Sequence, residues 1–218
     1  MLGWLLVAGV IVLLIVCLFF LFDDFAKSHR DRKKFEKKVY NILKYYADEQ
    51  DHLLLNDVNL YLDEDKRRPT IFNHILFADK YIYVITDFSY RGGIYGNIQD
   101  GKLFVKEYDG NTLKVSNPIM ESEQNVMKLE NFLGIHHSDK MLVSVVVHDS
   151  NLIVPKEIEK KEQTSWFLPV SELEKTMTIA EQDDVAPISH EQTEKMVHTL
   201  LERSNLIKKE IKKYQERK

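Results

Sequence analysis

Thr70-Ile71-Phe72-Asn73-His74-Ile75-Leu76-Phe77-Ala78-Asp79-Lys80-Tyr81-Ile82-Tyr83-Val84-Ile85-Thr86-Asp87-Phe88 is the stretch that decides how this chain folds. Two runs rich in β-branched and aromatic residues, Thr70–Phe77 and Tyr81–Phe88, are separated only by Ala78-Asp79-Lys80. Residues of that kind favour a pleated, half-buried surface, and so short a polar break reads as the turn of a β-hairpin. Downstream, Met141–Val147 is a near-continuous apolar run, the mark of a strand buried on both faces.

Helical and strand signals surround this centre. From Asp31 to Tyr46 the apolar residues Phe35, Val39, Ile42, Leu43 and Tyr46 fall at helical spacing. Leu53–Leu62 reads as a strand or extended segment, and the charged cluster Asp63–Arg68, closed by Pro69, as a loop. Arg91-Gly92-Gly93 ends the second hairpin strand. Leu103–Tyr108 and Thr112–Val115 flank Asp109-Gly110-Asn111, a turn signal that predicts another hairpin. A helix is predicted from Asn117-Pro118 to Leu133, with proline tolerated at its first position. Pro155–Gln163 reads as an exposed loop, Trp166–Val170 as a short strand and Ser171–Ile179 as a short helix. Ser189 with Gln192 forms a capping box. The helix behind it carries Met196, Val197, Leu200, Leu201, Ile207 and Ile211 along one face. The whole is an α/β architecture: a central mixed sheet flanked by helices, ending in an amphipathic helix.

Leu2–Phe22 has a different character, 21 residues without a charge. As a helix it would span roughly 31 Å, close to the thickness of a bilayer's hydrocarbon core. No basic start and no small-residue cleavage site marks it as a removable leader. Residues 23–38 hold seven basic and four acidic groups, so the positive-inside rule keeps the following domain cytoplasmic and the N-terminus outside. The expectation is a single-pass cell-membrane protein. It divides into an anchor at 1–22, a basic juxtamembrane segment at 23–34 and a domain at 35–180, then an acidic connector at 181–188 and the C-terminal helix at 189–218.

Composition excludes several classes. The 218 residues carry a net charge of −4; with +3 at 23–38 and +4 at 206–218, residues 39–205 are left with −11. Such a body repels phosphate backbones, so nucleic-acid contact is expected to be weak and confined to a patch such as Lys66-Arg67-Arg68 or the C-terminal helix. The single cysteine, Cys17, excludes an intrachain disulfide and fits a reducing compartment. The eight histidines show no zinc-binding spacing and read as surface or loop residues. Gly92-Gly93-Ile94-Tyr95-Gly96 lacks the dinucleotide-binding fingerprint and reads as backbone needing positive φ.

From about Phe35 to Val147 the chain resembles the nuclease-related domain (NERD) family, a branch of the restriction-endonuclease-like superfamily. The resemblance rests on Glu36, Leu55-Asn56-Asp57-Val58, Pro69-Thr70-Ile71-Phe72-Asn73-His74, Ile82–Phe88, Tyr90-Arg91-Gly92, Ile94-Tyr95-Gly96 and Asn117-Pro118. It implies a restriction-endonuclease-like domain. In that superfamily an acid on one strand, and an acid two residues before a lysine on the next, hold Mg²⁺ and orient a water against a phosphodiester. Carried onto this chain, the aspartate is replaced by Asn73, the glutamate by Thr86 and the lysine by Phe88, while Glu36 and His74 are retained. Asp87 is a candidate rescue, although strand alternation points it away from the face shared by Thr86 and Phe88. The resemblance therefore implies a degenerate, non-catalytic domain with no metal or cofactor, tethered to the bilayer and working as a binding or scaffold module for a protein partner. The alternative is an active Mg²⁺-dependent nuclease with a rearranged site.

Overall fold

A computed structural model describes residues 30–62, 68–108 and 110–215. The expected membrane span, residues 23–29 of the basic segment, Lys66 and Arg67 lie outside the described residues, as does the side chain of Ile211. Among the described residues no helix is long and apolar enough to cross a membrane.

The first helix, α1 (residues 30–50), turns Phe35, Val39, Leu43, Tyr46 and Ala47 inward. These fall at three- and four-residue steps, which place them on one face. Strands β1 (Leu53–Leu60), β2 (Thr70–Phe77) and β3 (Ile82–Phe88) follow as an antiparallel meander. The predicted hairpin is present, with Phe77 opposite Ile82 and His74 opposite Ile85.

The chain then leaves this sheet. Strands β4 (Gly92–Tyr95), β5 (Lys102–Lys106) and β6 (Thr112–Ser116) form a second, smaller sheet, joined later by β8 (Leu152–Ile153). The glycines expected to end β3 in fact begin β4. Gly92 has φ +103°, and a Cβ there would lie 2.1 Å from the Lys106 carbonyl oxygen, so only glycine lets β4 approach β5.

Helix α2 (Pro118–Leu133) is capped by Asn117, whose Oδ1 accepts from the backbone N–H of Ile119 and Met120. Its other end closes on Gly134, left-handed at φ 70°. Strand β7 (Leu142–His148) is buried at every residue, as its apolar run predicts, and pairs in parallel with β3. Strand β10 (Ser165–Pro169) extends that parallel block, and β9 (Lys160–Glu162) closes the edge. The large sheet has the order β1-β2-β3-β7-β10-β9. The segment expected as an exposed loop thus contains β9 and a buried Ile158. Its charged Lys-Lys-Glu sequence suits an edge strand, where polar side chains discourage further pairing.

Helix α3 (Leu173–Ala180) packs with α1 on one face of the large sheet through Leu173 and Met177. Helix α4 (His190–Gln215) lies with α2 on the other through Met196 and Leu200. Its capping box is formed: Gln192 N–H donates to Ser189 Oγ, and Ser189 N–H donates to Gln192 Oε1. Leu201, expected inside, is exposed, and the buried Ser204 accepts the Asn59 N–H of edge strand β1. A polar residue on the inner face of α4 therefore blunts an open sheet edge.

The acidic connector is a strap over the β2–β3 turn. Tyr83 OH donates to Glu181 (2.6 Å) and Tyr81 OH to Asp183 (2.8 Å), while the Ile188 N–H donates to the Asp79 carbonyl (2.7 Å).

Candidate functional site

The two faces of β2 and β3 carry different chemistry at the end furthest from their turn. Alternation sends Ile82, Val84, Thr86 and Phe88 towards α2 and the small sheet, and Tyr83, Ile85 and Asp87 towards α1.

On the α2 side a cavity of about 740 Å³ opens at this end, and Asn73, Thr86 and Phe88 all line it. Thr86 Oγ1 lies 3.5 Å from Ser122 Oγ of α2, and Ser144 Oγ of β7 donates to Ser122 at 2.8 Å. Phe88 is only 5% exposed, with its ring 4.8 Å from Tyr90 and 6.0 Å from Phe167. Phe88 is thus part of an aromatic cluster. Asn73, Thr86 and Ser122 bring no negative charge; the acids on the cavity's lining are Asp87, Glu107 and Glu121.

On the α1 side is a buried polar cluster. Asn56, directly opposite His74 in the β1–β2 ladder, places Oδ1 2.6 Å from His74 Nδ1. Since that oxygen only accepts, His74 donates from Nδ1. His74 Nε2 faces Asp87 Oδ2 at 3.3 Å, and the Asp87 side chain is 4% exposed. Tyr40 of α1 stacks over the imidazole at 6.5 Å. Burial pushes the Asp87 carboxyl above its ordinary range, against the opposing pull of His74. His74 Nε2, like one oxygen of Asp87, is buried without a hydrogen-bond partner. Asp87 Oδ1 is buried without a hydrogen-bond partner, which disfavours a full charge there. Glu36 reaches the same end of α1, where its carboxylate accepts from Arg32 Nε at 2.8 Å on the surface.

The β3 ladder continues through Asp87 opposite Val147 and Phe88 opposite His148, so no slip or bulge carries Asp87 round to Thr86's face. Arg32 and Asp87 border the cavity, but the Asp87 carboxylate is turned to His74. Arg68 is exposed just before β2 and does not line the cavity. The histidines depart from the surface reading: His74 and His148 are buried in strands. His148 Nδ1–H donates to the Asp149 carbonyl, and burial holds its pKa below the usual imidazole value.

A family model described as nuclease-related domain matches residues 31–148. The chain belongs to the nuclease-related domain family. No curated protein and no solved structure matches it.

The nuclease-related domain assignment brings the question of Mg²⁺. The residues present do not fit it: hard divalent cations need several oxygen ligands with carboxylate charge. The α2-side cavity sets an amide, hydroxyls and a phenyl ring where carboxylates would be needed; of the acids on its lining, Asp87 is turned to His74, and Glu107 and Glu121 are not gathered into a ligand cluster. Among the described residues no group of three or more His, Cys, Asp or Glu is placed to hold a metal. Asn56, Tyr40 and Ser122 carry much of the local chemistry and were not singled out as site residues in the sequence. The hairpin register held the signal for the first cluster. Phe77 opposite Ile82 fixes His74 opposite Ile85, and Asp87 is then the next residue on that face.

Proposed function

We propose that this nuclease-related domain is a membrane-anchored, cytoplasmic binding or scaffold module without nuclease activity. The observation that carries the reading is the separation of Asp87 from Thr86 and Phe88. The one carboxylate on β3 is buried against His74, while the neighbouring cavity presents Asn73, Thr86 and Phe88, and the Glu107 and Glu121 on its lining form no metal cluster among the described residues. A nuclease of this kind needs its carboxylates and its cation on one face, around one water. The uncharged run at 2–22 and the basic flank behind it support a single span with the domain inside. The charge of −11 across residues 39–205 favours a protein partner over a phosphate backbone.

The test uses the full chain, purified in detergent free of contaminating nucleases and given Mg²⁺ or Mn²⁺. No cleavage of DNA or RNA above the buffer rate is expected. Cleavage that disappears in Glu36→Ala or Asp87→Ala overturns the reading and establishes an active, rearranged site. Protease added to intact cells reports topology: digestion of residues beyond 40 from outside contradicts the cytoplasmic placement.

A further inference from the structure

The small sheet has one covered and one open face. Ile94, Leu103, Val105, Val115 and Leu152 point into the core. The ladder rows place Tyr95 opposite Phe104 and Phe104 opposite Lys114 on the other side. In the next row Ile153 lies beside Gly93, with Lys106 beyond it, and Lys102 completes the set. Tyr95 is 52%, Phe104 42% and Ile153 65% exposed, and the three lysines are exposed as well. No acidic residue falls on this face among the described residues. Lys114 Nζ lies 5.8 Å from the Phe104 ring centroid, a cation over an aromatic face. In a body of net charge −11, three lysines among three exposed apolar side chains with no acid between them form a distinct surface.

Its position in the chain supplies the occupant. Arg91, immediately before β4, donates to Asp31 Oδ2 at 3.2 Å, near the start of α1. Asp31 follows Phe22, the end of the uncharged run, by nine residues, which reach at most about 32 Å when fully extended. Aromatic residues and lysines are the residues of the membrane–water interface: rings sit at headgroup depth, and lysine stems lie along apolar surface with the ammonium towards phosphate. Single strands of nucleic acid also use lysines and aromatic rings. Ile153, the most exposed apolar residue of the face, offers nothing for a base to stack on, whereas the boundary between headgroups and acyl chains takes it readily.

We infer that the open face of β4, β5, β6 and β8 lies against anionic headgroups of the membrane that holds the anchor, giving the domain a second, charge-dependent contact with the bilayer. This rests on the anchored reading above. The test reconstitutes the full chain, with Cys17→Ser, into vesicles of phosphatidylcholine alone or mixed with phosphatidylserine. An environment-sensitive dye is placed at Thr112→Cys, on the open face, or at Ile179→Cys, on α3. Resistance to alkaline extraction in phosphatidylcholine alone reads the anchor independently of the face. In mixed vesicles the dye at 112 is expected to be quenched severalfold more by brominated lipid than the dye at 179. Lys102→Glu, Lys106→Glu and Lys114→Glu together are expected to abolish the difference. Equal quenching at the two positions in mixed vesicles overturns the inference, whether or not the chain resists extraction. Protection of the dye at 112 by oligouridylate and not by lipid also overturns it, and assigns the face to single-stranded nucleic acid.

Discussion

His74 Nε2 and Asp87 Oδ2 lie 3.3 Å apart, both side chains buried, with Asn56 fixing the other side of the imidazole. Burial holds the Asp87 carboxyl above its ordinary value of 3.8. As pH rises past that value the unfolded chain releases the proton first, so the unfolded state binds fewer protons and stability falls with rising pH through the window up to the raised folded value. Asp87→Asn removes this dependence. The melting temperature of Asp87→Asn relative to the parent is expected to climb as pH is raised from about 4. A difference that stays constant with pH would show that the carboxyl titrates normally in the fold.

Phe88 is the residue that the sequence resemblance sets in the place of an expected lysine. Phe88→Lys buries a charge between Tyr90 and Phe167 and is expected to cost at least about 3 kcal/mol. Asn73→Asp and Thr86→Glu, on the cavity wall, are expected to cost less. The triple variant gathers two carboxylates and a cation on one face, so Mg²⁺ should raise its melting temperature while leaving the parent's unchanged. A parent chain that Mg²⁺ stabilises equally well would mean that its own residues form a metal site.

The strap at 181–188 depends on two phenols. Burial and the neighbouring carboxylates push Tyr81 up to about 12 and raise Tyr83 further. Because these folded values lie above the ordinary 10, the unfolded chain ionises first, and stability is lost as pH rises beyond about 10. Tyr83→Phe leaves Glu181 without its donor, and a loss of about 1–3 kcal/mol is expected at neutral pH, with a shallower decline at alkaline pH. Urea titrations at the two pH values measure both effects.

Asn117 ties the small sheet to α2. Its Oδ1 caps the helix while its Nδ2 donates to the carbonyls of Ile98 and Asp100, both at 2.8 Å. Asn117→Ala is expected to cost about 2–3 kcal/mol, the cap together with the unsatisfied carbonyls. Asn117→Asp keeps the cap, loses the donors and should fall between the two. If aspartate proves as stable as the parent, the carbonyl contacts contribute nothing.

Elements with a continuous apolar signature were legible in the sequence. The β2–β3 hairpin and β7 follow directly from Thr70–Phe88 and Met141–Val147, because largely buried strands are dominated by β-branched and aromatic residues that a few polar ones do not obscure. Strands β4 and β9 were not legible. Gly92-Gly93-Ile94-Tyr95 has little strand propensity and exists because the glycines let backbones approach, while Lys160-Lys161-Glu162 depends on tertiary partners, the β10 ladder and the carboxylates of Glu123 and Glu172. At the site, alternation placed Asp87 opposite in sense to Thr86. It did not reveal what Asp87 meets, because a two-residue period says which face a side chain takes and nothing about which helix covers that face.

Parallel pairing of β3 with β7 also governs how the chain must be made. Strand β3 is complete at Phe88, but β7 does not begin until Leu142. At ~5–20 residues per second, a ribosome takes roughly 3–11 s to supply the partner. Throughout that interval the hairpin offers a bare, apolar strand edge able to recruit any neighbouring extended chain. Yield in a recombinant host is therefore governed by how well that edge is shielded during synthesis, and pausing within residues 89–141 lengthens the exposure.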